Sequence, residues 1–178
     1  LMSCENCKTE LCSCDHAEEV TTSGFMQVIN TFKVEIKKLT KNAKTPTRGS
    51  EEAAGYDLYA DLKGAKELTV PAHETKLVGT GLAMKLPQGT FLGIYPRSGL
   101  ATKRGLRPAN TVGVIDSDYR GEIMIALHND TEKEQMITDG ERIAQGILQS
   151  YMPMSFDEVD ELSETARGYG SFGSTGTN

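Results

Sequence analysis

Gly113-Val-Ile-Asp-Ser-Asp-Tyr-Arg-Gly-Glu-Ile123 sets two carboxylates, Asp116 and Asp118, one residue apart between two apolar runs. The pattern reads as strand, tight turn, strand. Aspartates at such a turn hydrogen-bond their own backbone, so an acidic hairpin tip is the plainest reading. Outward from it, residues 122–128 alternate with Ile123, Ile125 and Leu127 on one face, as a half-buried strand does. Residues 31–39 alternate in the same way, Phe32, Val34 and Ile36 against Lys33, Glu35 and Lys37. Shorter runs at 53–60, 67–71, 90–95 and 141–151 read as strands between turn residues. Residues 76–86 form another, interrupted by Gly79 and Gly81 and therefore kinked or bulged. Residues 40–52 and 131–140 read as polar loops. Residues 96–105 predict one short helix, with Ser98 as N-cap and Gly105 just past its end. Nine or ten short strands and one helix define an all-β chain, a jelly-roll-like β-sandwich or barrel.

A chain of 178 residues suits one domain with a real core. The net charge of −6 provides no basic field to draw in nucleic acid, so an anionic ligand must be held by a local cluster of donors. No apolar run approaches the roughly 20 residues of a membrane span, and no signal-peptide pattern is present. The expectation is a soluble, cytoplasmic protein. Its four cysteines, Cys4, Cys7, Cys12 and Cys14, all precede residue 15, with His16 close behind. A stapled fold would spread them along the chain, and their second half does not follow the common zinc spacings. Residues 1–24 are expected to be a disordered, Cys-rich acidic leader with free thiols or a metal. Residues 25–166 form the β-barrel domain, and 167–178 a flexible Gly-rich C-terminal arm.

Three clusters carry chemistry. Arg97-Ser98-Gly99 opens the helix, where unpaired N–H groups and a guanidinium fork suit phosphate. The tail Arg167-Gly-Tyr-Gly-Ser-Phe-Gly-Ser-Thr-Gly176 has the backbone freedom to wrap a ligand, an arginine to pair with phosphate and Phe172 to stack on a flat ring. Arg97, Arg142 and Arg167 are candidates to neutralise a polyphosphate, and Arg142 reads equally as a surface residue on its strand. Asp57, Asp116 and Asp118 are candidates to bind hydrated Mg2+ or to position water. Together these parts ask for a nucleoside triphosphate and a water, bound without a Walker A sequence.

Five ordered segments carry a resemblance. They are Ala54-Gly-Tyr-Asp-Leu-Tyr59, Pro96-Arg-Ser-Gly-Leu-Ala101, Gly113 to Ile123, Gly140-Glu-Arg-Ile-Ala-Gln145 and Arg167 to Gly176. In that order they resemble the motifs of the homotrimeric all-β dUTPases, over residues 27–176. The resemblance implies hydrolysis of dUTP to dUMP and pyrophosphate, which keeps uracil out of DNA and supplies dUMP for thymidylate synthesis. It implies that Asp116 activates the attacking water and that Tyr119 packs under the deoxyribose, leaving no room for a 2′-hydroxyl. Asn110, Val114, Ile115 and Met124 would read the uracil edge. Arg97, Ser98, Gly99, Arg142 and Gln145 would hold the phosphates, and Asp57 would contact Mg2+ through water. Arg167, Phe172 and Gly173 would close over the ligand. It further implies a homotrimer with each site shared between subunits. Asp118 then drops to a structural turn residue. Tyr169 and Ser171 stand where the family shows small residues or glycine. Two other readings are a dCTP deaminase-like enzyme, whose family carries an Arg-Ser-Ser helix start and a hairpin glutamate, and a nucleotide-sensing or protein-binding module.

Overall fold

The computed structural model describes residues 32–170. The leader, Phe172 and Gly173 lie outside them. In chain order the elements are β1 (Glu35–Lys38), β2 (Thr47–Arg48), β3 (Tyr56–Tyr59), β4 (Glu67–Val70), β5 (Thr75–Gly79), β6 (Leu82–Lys85) and β7 (Thr90–Tyr95). Helix α1 (Ser98–Arg104) follows, then β8 (Leu106–Pro108), β9 (Gly113–Asp116), β10 (Met124–Asn129), β11 (Gln135–Thr138) and β12 (Arg142–Ser150). The strands β2 and β11 fall inside stretches that read as polar loops, because strands of two and four residues with few apolar side chains leave little periodic signal.

Among the described residues all strand pairs are antiparallel. One sheet runs β2-β3-β12-β7-β9, a second β5-β10-β8, and the pairs β1-β6 and β11-β4 complete the set without closing a barrel. The core between them is built from Leu58, Val78, Leu82, Leu106, Ile123, Ile125, Leu127, Ile137 and Ile143, all essentially inaccessible. Each such side chain contributes about 1.5–3 kcal/mol by leaving water. By contrast Phe32 and Ile36, the apolar side of the first alternating stretch, are exposed on this chain.

The Asp116 turn differs from the expected hairpin. Strand β9 pairs with β7, Asp116 facing Phe91, whereas β10 pairs with β5 and β8. The turn therefore carries the chain from one sheet to the other. Backbone donors hold it: Tyr119 N–H donates to the Asp116 carbonyl at 3.1 Å, and the Arg120 guanidinium donates to the carbonyls of Ser117 and Tyr119. Among the described residues neither Asp116 nor Asp118 caps the turn with its carboxylate, and Arg120 ties it instead. Helix α1 starts one residue earlier than the expected Ser98 cap implies. Its N-cap is Arg97, in extended conformation and without a side-chain cap, and Ser98 is the first helical residue. Gly105 ends it in the left-handed region at φ 63°, which glycine adopts without a steric cost.

Candidate active site

Strand β3 presents Asp57, β12 presents Gln145 opposite it, and Arg97 follows the end of β7. Asp57 is 8% exposed and accepts from two guanidinium groups. Arg97 Nε donates to Oδ1 at 2.7 Å and Arg142 Nη1 to Oδ2 at 3.0 Å. Arg97 Nη1 also reaches the Arg142 carbonyl at 3.3 Å. A buried carboxylate without such partners would be strongly destabilised; here it holds two cations side by side.

Arg142 reaches this position through a bulge. Alternation along β12 places Gln145 on the outer face with Asp57 and Ala144 in the core. The register shifts between Arg142 and Ala144, so Ile143 is buried as well and Arg142 returns to the outer face. A strict period of two would have left Arg142 pointing inward, which is why the sequence alone did not settle its role.

These residues line a cavity of about 200 Å3 together with Gly49, Ala53, Gly55, Ser98 and Gly99. Gly55 is open for a specific reason: a Cβ there would lie 2.3 Å from Gln145 Oε1. The Gln145 amide instead lies against the backbone and donates to the Pro96 carbonyl at 2.9 Å. The first N–H groups of α1, at Ser98 and Gly99, have no acceptor within the helix and stand at the cavity wall. Gly49 and Ala53 escaped sequence reasoning. They belong to a loop that Arg48 ties back by donating to the Ala53 carbonyl at 2.8 Å, and no motif marks it. Two arginines, unpaired N–H groups and an amide make this an anion site.

Asn110, Val114, Ile115, Asp116, Tyr119 and Met124 form a second group around β9 and its turn. None lines the cavity. Val114, Asp116, Tyr119 and Met124 are exposed. Among the described residues the Asp116 carboxylate accepts no hydrogen bond. Register measures the gap. Asp57 aligns with Gln145 and Tyr95, while Asp116 aligns with Phe91, four residues along β7. Three strand spacings of ~4.8 Å and four residues of ~3.3 Å put Asp57 and Asp116 on the order of 20 Å apart on one chain.

Beyond β12, residues 151–165 carry no regular structure, and Met152, Phe156 and Leu162 are each about 85% exposed or more. Arg167 sits in an exposed turn in which Gly168 N–H donates to the Thr165 carbonyl. It does not reach the cavity of its own chain.

The fold and cavity define an all-β protein with a guanidinium-lined anion site. A dUTPase family model matches residues 41–176, and the chain belongs to the dUTPase family. It is 48% identical to the deoxyuridine 5′-triphosphate nucleotidohydrolase of Paramecium bursaria Chlorella virus 1, over 79% of this chain and 96% of that one. It is 45% identical to that of Nautilia profundicola, over 82% and 99%. Among solved structures, a mutant of the Staphylococcus bacteriophage 80alpha dUTPase with dUpNHpp aligns at TM-score 0.74 and 28% identity, covering 82% of this chain and 99% of that one. These matches favour the dUTPase reading over the deaminase.

Proposed function

We propose that this chain hydrolyses dUTP to dUMP and pyrophosphate, with the Asp57–Arg97–Arg142 cavity as the phosphate site and the β9 turn as the base, sugar and water site. The observation that carries the reading is the pair of guanidinium groups held side by side by one buried carboxylate. Arg97 and Arg142 keep further N–H donors for phosphate oxygens. The N–H groups of Ser98 and Gly99 and the Gln145 amide add neutral donors around the same oxygens. Arg167, in the arm, meets the terminal phosphate when the arm closes, with Phe172 against the uracil ring and Gly173 beside it.

Asp116 orients the attacking water and takes its proton as the α–β phosphoanhydride breaks. Among the described residues its carboxylate accepts no other hydrogen bond, which supports that role, because a base must spend its lone pairs on the water. Asn110 and the backbone at Val114, Ile115 and Met124 present donors and acceptors to the uracil edge. A wrong base would leave some of them unpaired. Tyr119 supplies a flat wall for the deoxyribose.

Mg2+ fits this site in a limited way. Each Asp57 oxygen accepts one guanidinium N–H and keeps acceptor capacity for a metal-bound water. Among the described residues no group of three or more potential ligands gathers. The residues present therefore suit a hydrated ion that brings its remaining oxygens from the triphosphate, where Mg2+ would neutralise charge on the leaving pyrophosphate. A phage phi11 dUTPase structure, 21% identical to this chain, is described as coordinating a structural Mg(II) ion.

The separation of the two residue groups supports a shared site. A general base works within hydrogen-bond reach of its water, or through one more water. About 20 Å of sheet exceeds that reach, which supports Asp116 of one subunit meeting the arginine cavity of another. A homotrimer satisfies this requirement with three equivalent contacts, and the exposed 151–165 segment gives each arm a path to a neighbour.

The test is pyrophosphate release from dUTP, dTTP, dCTP and UTP with Mg2+. dUTP alone should turn over efficiently, and Asp116→Asn should lower kcat by about 10²–10⁴-fold, the range for loss of a general base, while dUTP binding persists. Ammonia release from dCTP would defeat the hydrolase reading.

A further inference from the structure

The two glycines that interrupt 76–86 have no part in the phosphate or base contacts, yet they are the other half of the Tyr119 turn. A Cβ at Gly79 would lie 2.3 Å from Glu122 Oε1. Glu122 enters that space, accepts from the Gly81 backbone N–H at 2.9 Å through the same oxygen, and pairs with Lys63 Nζ at 2.8 Å through the other. Its side chain is only 17% exposed. Gly81, at φ 64°, supplies the left-handed bend that aims its N–H at the carboxylate. Between the glycines, Thr80 donates through its N–H and its hydroxyl to the Ile123 carbonyl, at 3.2 and 2.7 Å. Ile123 N–H donates to the Leu82 carbonyl at 2.8 Å, and Ile123 is fully buried. Residues 122–123 are thus fixed on both sides.

Tyr119 is tied to that fixed point. Its hydroxyl donates to the Glu122 carbonyl at 3.0 Å. Its ring occupies the space beside Gly121, where a Cβ would lie 2.3 Å from the hydroxyl oxygen and 2.6 Å from Cζ. The ring therefore has one anchored end and a backbone cut away to receive it. Glu122 hydrogen bonding also raises the Lys63 pKa above the ordinary lysine value.

We infer that Glu122 is a positioning residue for selection of deoxyribose over ribose: seated in the Gly79–Gly81 kink, it fixes the carbonyl that holds the Tyr119 hydroxyl, and so sets the wall against which a 2′-hydroxyl would clash. The inference rests on the reading that Tyr119 packs against the sugar. A wall excludes a single oxygen only if it cannot recede by an ångström or so, and the hydroxyl tether supplies that stiffness.

The experiment measures kcat/KM for dUTP and UTP with Mg2+ on the full chain and on Glu122→Ala, Glu122→Gln, Gly79→Ala and Tyr119→Ala, with thermal unfolding and sedimentation alongside. Glu122→Ala should lower the dUTP-to-UTP ratio about tenfold, the value of one hydrogen bond, chiefly by improving UTP. Glu122→Gln should restore most of the ratio, because its amide oxygen still accepts from Gly81. Gly79→Ala, which touches no substrate, should reproduce Glu122→Ala by pushing the carboxylate out, and it decides the matter if Glu122→Ala does not fold. An unchanged ratio in Glu122→Ala and Gly79→Ala, with Tyr119→Ala losing discrimination, overturns the role of Glu122 and spares that of Tyr119. An unchanged ratio in Tyr119→Ala overturns the sugar assignment and the inference with it.

Discussion

Gly55 shows how one missing side chain sets the place of another. A methyl there would meet Gln145 Oε1 at 2.3 Å, with Cδ and Cβ at 3.1 and 3.3 Å behind it. The amide can swing away, so Gly55→Ala should fold, but Gln145 would lose its bond to the Pro96 carbonyl and its place at the cavity. Loss of one such bond costs about 0.5–1.5 kcal/mol. KM for dUTP should rise about three- to tenfold with kcat much less affected. Steady-state kinetics with an unfolding curve would check this, and an unchanged KM would mean that Gln145 does not hold phosphate. The Gly55-Tyr56-Asp57 spacing was visible in the sequence. That Gly55 serves Gln145, ninety residues away, is a close approach that no local pattern encodes.

At the level of elements, the strongly periodic strands were legible and the short polar ones were not. Residues 122–128 and 141–151 show the apolar side chains of the core, and β10 and β12 fall there. Strands β2 and β11 exist because partners supply their hydrogen bonds, β3 and β4 respectively, a tertiary effect that propensity does not record. The acidic turn was legible as a turn but not as a crossover, since strand pairing is non-local. The Arg142 bulge was hidden for the same reason. The β8–β10 pair also carries an acid-sensitive contact. Arg107 donates to both Asp130 oxygens, at 2.7 and 2.9 Å, and this bond holds the Asp130 pKa below the ordinary carboxylate value, with His128 and His73 adding smaller effects in the same direction. A depressed folded-state pKa gives stability that is present above the unfolded value near 3.8 and is lost as pH falls through the folded value. Arg107→Gln should therefore flatten the dependence of Tm on pH below about 5 while leaving it little changed at neutral pH. The effect should be small, because the pair is solvent-exposed and screened. A variant whose acid limb matches the wild type would remove Arg107 as the cause.

At the level of the whole molecule, the sheet holds apart the two groups of residues that the proposed reaction needs together. Arg142 lies on β12 and Arg97, just past β7, joins it at Asp57 of β3, whereas Asp116 ends β9; two strands in the sheet order and four residues of register separate Asp57 from Asp116. On the proposed reading, Asp116 and the arginine cavity at one phosphate come from different chains. Subunit mixing tests this directly. Arg97→Gln and Asp116→Asn should each be nearly inactive alone, the first for want of phosphate binding and the second for want of a base. Unfolded together in equal amounts and refolded, they form mixed oligomers. Any site that takes Asp116 from an Arg97→Gln chain and Arg97 from an Asp116→Asn chain is wild-type in both residues. Random assembly should restore about one quarter of the wild-type kcat per site, since each of the two contributions is correct half the time in a closed symmetric oligomer. If both residues serve the same site from the same chain, every site in every mixture carries one lesion and no activity returns. Recovery near one quarter supports the shared site, and its absence after verified co-assembly would overturn it, leaving both residues to act from the same chain.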